Sequence, residues 1–140
     1  MPTGVNWRQE EFVEAVRRGA LRGVTIAAND VRNEILRRIL QTTKTGRMYV
    51  RRGIPHQASA PGEAPASDTG TLARGITVVV NAQTLTATVN SGAAHSLPLE
   101  MGTPTIEPRP HLRVSLAAQR ENIQATIGRE IGREIAALGR

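Results

Sequence analysis

"LARGITVVVNAQTLTATVN" (Leu72–Asn90) is the stretch that settles the fold class. Two runs rich in β-branched residues, Leu72–Val80 and Thr84–Asn90, flank the short connection Asn81–Gln83. Such runs across a tight polar connection form a β-hairpin. In the second run Leu85, Ala87 and Val89 alternate with threonines, so one face is apolar and the other faces water or a partner. Helical patterns lie on both sides of this hairpin. The expectation is an α+β fold in one domain, with a small antiparallel sheet between a long N-terminal helix and a C-terminal helix.

Upstream of the hairpin stands "ASAPGEAPASDTG" (Ala58–Gly70), where Pro61, Gly62 and Pro65, with Pro55 before them, argue against regular structure. Asp68 ahead of Thr69 and Gly70 reads as an Asx-turn that holds the lead-in to the strand. Before it, Met48 and Val50 alternate with Arg47, Tyr49 and Arg51, the pattern of a short strand. Residues 41–71 therefore read as an arm or loop. Few apolar side chains anchor residues 53–70, which predicts cleavage by proteases in the free protein.

Residues 7–40 read as one helix. Asn6 is the expected N-cap with Gln9 three residues on, and Glu10, Glu11 and Glu14 sit at the positive end of the helix dipole. Phe12, Val16, Ala20, Val24, Ala28, Val31, Ile35 and Ile39 draw one apolar stripe, with a kink expected at Gly19 and Gly23. A straight helix of this size spans about 50 Å. That is longer than the domain is wide, so part of it projects or packs on a neighbour.

Downstream, residues 72–103 hold the hairpin and, around Leu97–Met101, a short edge strand among the prolines of Ala93–Leu112. A last helix covers residues 111–138. Its apolar row is Leu112, Leu116, Ile123, Ile127, Ile131, Ile135 and Leu138. Gly128 and Gly132, four residues apart, are expected to admit the close approach of a long neighbouring helix.

Composition narrows the function. Of 140 residues 39% are hydrophobic and only 2% aromatic, so the core is a thin aliphatic one that favours association with partners. Eighteen basic against twelve acidic residues give a net charge of +6, and 17 of the basic residues are Arg. That surplus suits polyanions or acidic protein surfaces. No cysteine is present, which leaves no disulfide and no thiolate metal site. The N-terminus lacks the pattern of a secretory signal and no apolar run approaches a membrane span, so a soluble cytoplasmic product is expected.

Catalysis is not expected. His56, His95 and His111 show no metal-ligand spacing, and no serine stands in a G-x-S-x-G turn. Glu63 and Asp68, or Glu100 and Glu107, read as turn-capping carboxylates. No phosphate-cradling glycine loop and no cofactor motif appear. Lys44, Arg47, Arg51 and Arg52 form a basic cluster that suits non-specific phosphate contact or an acidic partner, without a stacking platform or a recognition helix beside it.

Three segments in order carry a resemblance: Gly46–Ile76 with "DTG-x-L" (Asp68, Thr69, Gly70, Leu72), "HSLPLEMGT" (His95–Thr103) with "E-x-GT" (Glu100, Gly102, Thr103), and "PRPHLRVSL" (Pro108–Leu116). In the last, Pro108, Pro110 and Leu112 belong to a "P-x-RP-x-L" motif. Across residues 8–138 the chain resembles the small tail-component, or tail-completion, proteins of long-tailed bacteriophages. An aromatic is usual in that family where His111 and Met101 stand here.

The resemblance implies a non-enzymatic structural protein of the virion neck, assembled in the bacterial host cytoplasm. It implies a homomeric ring, six-fold by analogy, between the head connector or stopper and the tail terminator or tail tube, around the axial DNA. It also implies that the proline-rich stretch is an arm that docks on a neighbouring subunit. Lys44, Arg47, Arg51 and Arg52 would face the DNA channel or an acidic partner ring. The alternatives are a tail terminator ring and, from another class, a basic DNA-binding protein.

Overall fold

The structure, a computed structural model, describes residues 8–67 and 70–140. The expected cap Asn6, the helix start at Trp7 and the Asx-turn at Asp68 lie outside the described residues. Eight elements follow in order: α1 (Gln9–Leu40), β1 (Met48–Arg51), β2 (Ile54–Gln57), α2 (Thr71–Arg74), β3 (Ile76–Asn81), β4 (Thr86–Ser91), α3 (Ser96–Met101) and α4 (Leu112–Ala137). The architecture is α+β, with a long first helix, two small antiparallel sheets and a C-terminal helix.

α1 runs unbroken through Gly19 and Gly23. These glycines are contact points instead of hinges. A Cβ on Gly19 would lie 2.5 Å from the Ile131 Cα, and one on Gly23 would lie 2.7 Å from the Ile127 Cα. The buried stripe accordingly falls on Ala15, Gly19, Gly23, Ala27, Val31, Ile35 and Ile39, one residue every four. In the first half of α1 this corrects the expected stripe, because Phe12, Val16, Ala20 and Val24 are only half-buried. Hydrophobicity marks those four, but backbone approach selects for small size, and the small residues stand one position away. Gly128 and Gly132, the expected contact glycines, face open space.

α4 lies antiparallel on α1, as pairs along the seam record. Arg8 Nη2 donates to the Leu138 carbonyl at 2.8 Å, Arg18 Nε meets Glu134 at 3.2 Å, and Asn122 Nδ2 donates to Asp30 at 2.9 Å. The residues of α4 buried deepest are polar: Ser115, Thr126 and Glu130. The apolar row expected to make the contact is largely half-buried beside them, and Leu116 and Ile135 are exposed. Glu130 is only 2% exposed; its Oε1 meets Arg133 at 3.0 Å and Arg129 at 3.5 Å, while Oε2 is buried without a hydrogen-bond partner among the described residues.

The central hairpin forms as expected, with corrected ends. "LAR" belongs to the one-turn helix α2, and β3 begins at Ile76. The connection is Ala82–Leu85, where Asn81 Oδ1 accepts from the backbone N–H groups of Gln83 and Thr84, and Leu85 takes a positive φ of 53°. Pairing Ile76 with Ser91, Val78 with Val89 and Val80 with Ala87 puts one face toward α1. Thr77, Thr86, Thr88 and Asn90 stand on the exposed face. The core joins Val31, Ile35 and Ile39 of α1 to Leu72, Ala73 and Ile76, with Val89, Leu99, Leu112 and Ile123 packed around it. Each fully buried Ile contributes about 1.5–3 kcal/mol.

Two further expectations are corrected. Leu97–Met101 lies within helix α3, because Pro98 sits in its first turn, where a missing N–H costs nothing. Pro55 does not prevent regular structure: β2 pairs with β1 and carries Pro55 opposite Val50. A two-stranded ribbon has only free edges, and there proline is tolerated.

Candidate functional site

Of the motif residues, Glu100, Gly102, Thr103, Pro108, Pro110 and Leu112 come together where α3 meets α4, whereas Asp68 lies outside the described residues. Glu100 closes α3 and turns its carboxylate onto the first turn of α4. Oε2 accepts the backbone N–H of His111 (2.7 Å) and of Leu112 (2.9 Å), and Oε1 accepts that of Arg113 (2.9 Å). A helix start leaves such N–H groups without partners, and its dipole favours an anion. Burial works against ionisation of Glu100, but the donors His111, Arg113 and Leu112 outweigh it and hold the carboxyl below the usual range.

Gly102 then turns the chain with φ of 79°, and a Cβ there would lie 2.9 Å from the Pro108 ring. Thr103 pairs with Ile106, its N–H donating to the Ile106 carbonyl at 2.8 Å. Arg109 N–H donates to the Leu99 carbonyl, and Pro110 is half-buried behind it. Leu72 and Leu112 meet at the core below. Gly70, at φ of 76°, precedes α2.

His111 completes this clasp. Its ring is wholly buried, with Nε2 3.2 Å from Ser96 Oγ and Nδ1 3.2 Å from Glu100 Oε2. Burial lowers its pKa and outweighs the opposing pull of the Arg109 carbonyl and Glu100. A neutral imidazole thus donates from Nδ1 and accepts the Ser96 hydroxyl at Nε2. Hydroxyl, imidazole and carboxylate stand in the order of a nucleophilic triad. Ser96 is nevertheless buried, and Glu100 is engaged by three backbone donors. The arrangement holds α3, the following loop and α4 together. Sequence reasoning passed over Ser96 as a serine outside a G-x-S-x-G turn, and read His111 as a histidine without metal-ligand spacing and as a departure from a motif. A serine and a histidine flanking "E-x-GT" in one short segment were the signal.

The same clasp ties down the proline-rich stretch. Gly62 N–H donates to the Pro108 carbonyl at 3.1 Å, and Arg109 Nε donates to the Ser59 carbonyl at 3.2 Å. Glu63 accepts the N–H of Thr45 and of Ala60 and the Thr45 hydroxyl. Ser59 and Pro65 are buried. Residues 58–65 are therefore held by hydrogen bonds, which an expectation drawn from the scarcity of apolar side chains over 53–70 did not include.

What projects is the β1–β2 ribbon, rooted where the Gly46 N–H donates to the Ala58 carbonyl and the Ala58 N–H to that of Arg47. Its turn is Arg52–Gly53, with φ of 52° and 76°, the conformation a two-residue hairpin turn demands. Arg47, Arg51 and Arg52 are exposed on this ribbon. Lys44 is not among them. Its Nζ donates to the Arg38 carbonyl and to Thr42 Oγ1, both at 2.7 Å, and so caps the end of α1; burial lowers its pKa.

A third feature is an apolar groove of about 600 Å³ between α1, α4 and β4. Val24, Ala28, Val89, Leu116, Ile123 and Ile127 line it, with Glu100, Met101 and Arg113 at one end. Among the described residues no group of three or more acids or histidines could hold a metal ion, and no helix is long and apolar enough to cross a membrane. The chain matches no family model, and neither a curated protein nor a solved structure matches it.

Proposed function

We propose that this protein is a non-enzymatic structural subunit of a bacteriophage head–tail junction. In this reading it completes the tail and joins the tail tube to the head connector around the axial DNA, as a homomeric ring in the neck of the virion. Supporting the reading is the convergence of the "E-x-GT" and "P-x-RP-x-L" residues on one clasp, with Glu100 capping α4. Each motif is weak as a string; a shared structural task makes their order meaningful. The projecting ribbon and the open apolar groove are surfaces that a subunit of a larger assembly would carry.

Electron microscopy of lysates from a phage lacking the gene tests the proposal. Filled heads beside finished, unjoined tails of normal length are expected. Tails of uncontrolled length would assign the terminator role instead, and joined particles at parental numbers would overturn the neck reading.

A further inference from the structure

The ribbon has two unlike faces. Cross-strand pairing places Met48, Val50, Pro55 and Gln57 on one, and Tyr49, Arg51, Ile54 and His56 on the other, where the Tyr49 and His56 rings stack at 5.6 Å. Arg47, two residues before Tyr49, shares the second face by strand alternation. The first face bears no charge, yet Met48 is 58% and Val50 71% exposed. The groove is its counterpart. Its two charged lining residues, Glu100 and Arg113, stand 3.8 Å apart as a pair and leave the rest apolar and neutral. A cationic face would be refused there, whereas the Met48–Val50 face would not.

The ribbon does not occupy the groove of its own chain, since Met48 and Val50 are exposed and no ribbon residue lines the groove. Both strands are clamped at the root by Gly46–Ala58, by Glu63 on Thr45 and Ala60, and by Gly62 on Pro108. We propose that the Met48–Val50–Pro55 face of one copy seats in the α1–α4–β4 groove of a second copy. The inference rests on reading the protein as a subunit of an assembly. The contact joins unlike surfaces, so its repetition builds a ring or a filament rather than a closed pair. It leaves Arg47 and Arg51 on the outer face of the seated ribbon.

The absence of cysteine makes the test direct. Purified full-length Val50→Cys and tagged Leu116→Cys chains are mixed under mild oxidation. A disulfide-linked mixed dimer is expected, at about ten times the yield of either chain alone. In parallel, Met48→Asp/Val50→Asp is compared with the parent by sedimentation equilibrium. Both positions are exposed, so the variant keeps its melting temperature, while self-association weakens at least about tenfold. A mixed yield no higher than that of the separate chains overturns the proposal. So does a parent chain still monomeric at about 1 mM, or an Asp variant that associates as the parent does. None of these measurements involves phage, so the contact and the neck assignment fail independently.

Discussion

Gly19 of α1 and Ile131 of α4 touch backbone to backbone: a Cβ on the glycine would lie 2.5 Å from the Ile131 Cα. The helix pair is thus set by the absence of a side chain. Gly19→Ala gains up to about 1 kcal/mol in helix propensity, but the helices must separate to admit the methyl group. We expect a net loss of about 1–3 kcal/mol for Gly19→Ala and for Gly23→Ala in urea unfolding. Gly128→Ala and Gly132→Ala, which face open space, are expected to gain about 0.5–1 kcal/mol. Equal effects at all four sites would contradict the packing described.

Glu100→Gln retains the size of the side chain but removes the anion from the start of α4. Its expected cost is about 1–3 kcal/mol in thermal or urea unfolding, since charge-assisted bonds to backbone donors are lost. Glu107→Gln, exposed on the neighbouring loop, is the control and should lie within about 0.5 kcal/mol of the parent.

Stability should fall in two steps on acidification. The lowered pKa of His111 means that the unfolded chain takes up a proton before the native one does. Stability is therefore lost as pH drops below about 6.5, the unfolded value, toward the lower folded one. Glu100, also lowered, contributes stability above its unfolded value, and this is lost as pH falls through the folded one. His111→Asn should abolish the upper step while the lower one persists. Urea unfolding from about pH 8 down to about pH 2 reads both.

Arg52 takes a positive φ in the turn of the ribbon, a conformation that suits Asn or Gly better. Arg52→Gly is expected to leave the melting temperature equal or higher. Arg51→Ala/Arg52→Ala should leave the monomer folded, because neither residue is in the core, and, on the proposed neck role, lower the yield of joined, infectious particles. If the double variant assembles and infects as the parent does, the arginines have no part in joining.

Much of the fold was legible because periodicity reports burial. The β-branched alternation around Val78 and Val89 gave the central hairpin, and the spacing of Val31, Ile35 and Ile39 gave the core half of α1. Where backbone contact replaces side-chain burial, hydrophobicity pointed one residue aside, to Val16 and Val24 instead of Ala15 and Gly23. Prolines misled twice, at Pro55 and Pro98, because a ribbon with free edges and a first helical turn both accept them. The clasp was half legible: "E-x-GT" and "P-x-RP-x-L" were visible as strings. That Glu100 reaches across eleven residues to the His111 N–H is a tertiary fact without a local sequence signal.

The seam between α1 and α4 also dictates a timetable. α1 leaves the ribosome before α4, so the row of Ala15, Gly19, Gly23 and Ala27 is shaped for a partner that is translated later. About a hundred residues separate the two, on the order of 5–20 s of synthesis. Throughout that interval the thin stripe has nothing from its own chain to cover it. Slowed synthesis or a chaperone acting on nascent chains during that interval would therefore change the yield of correctly paired helices.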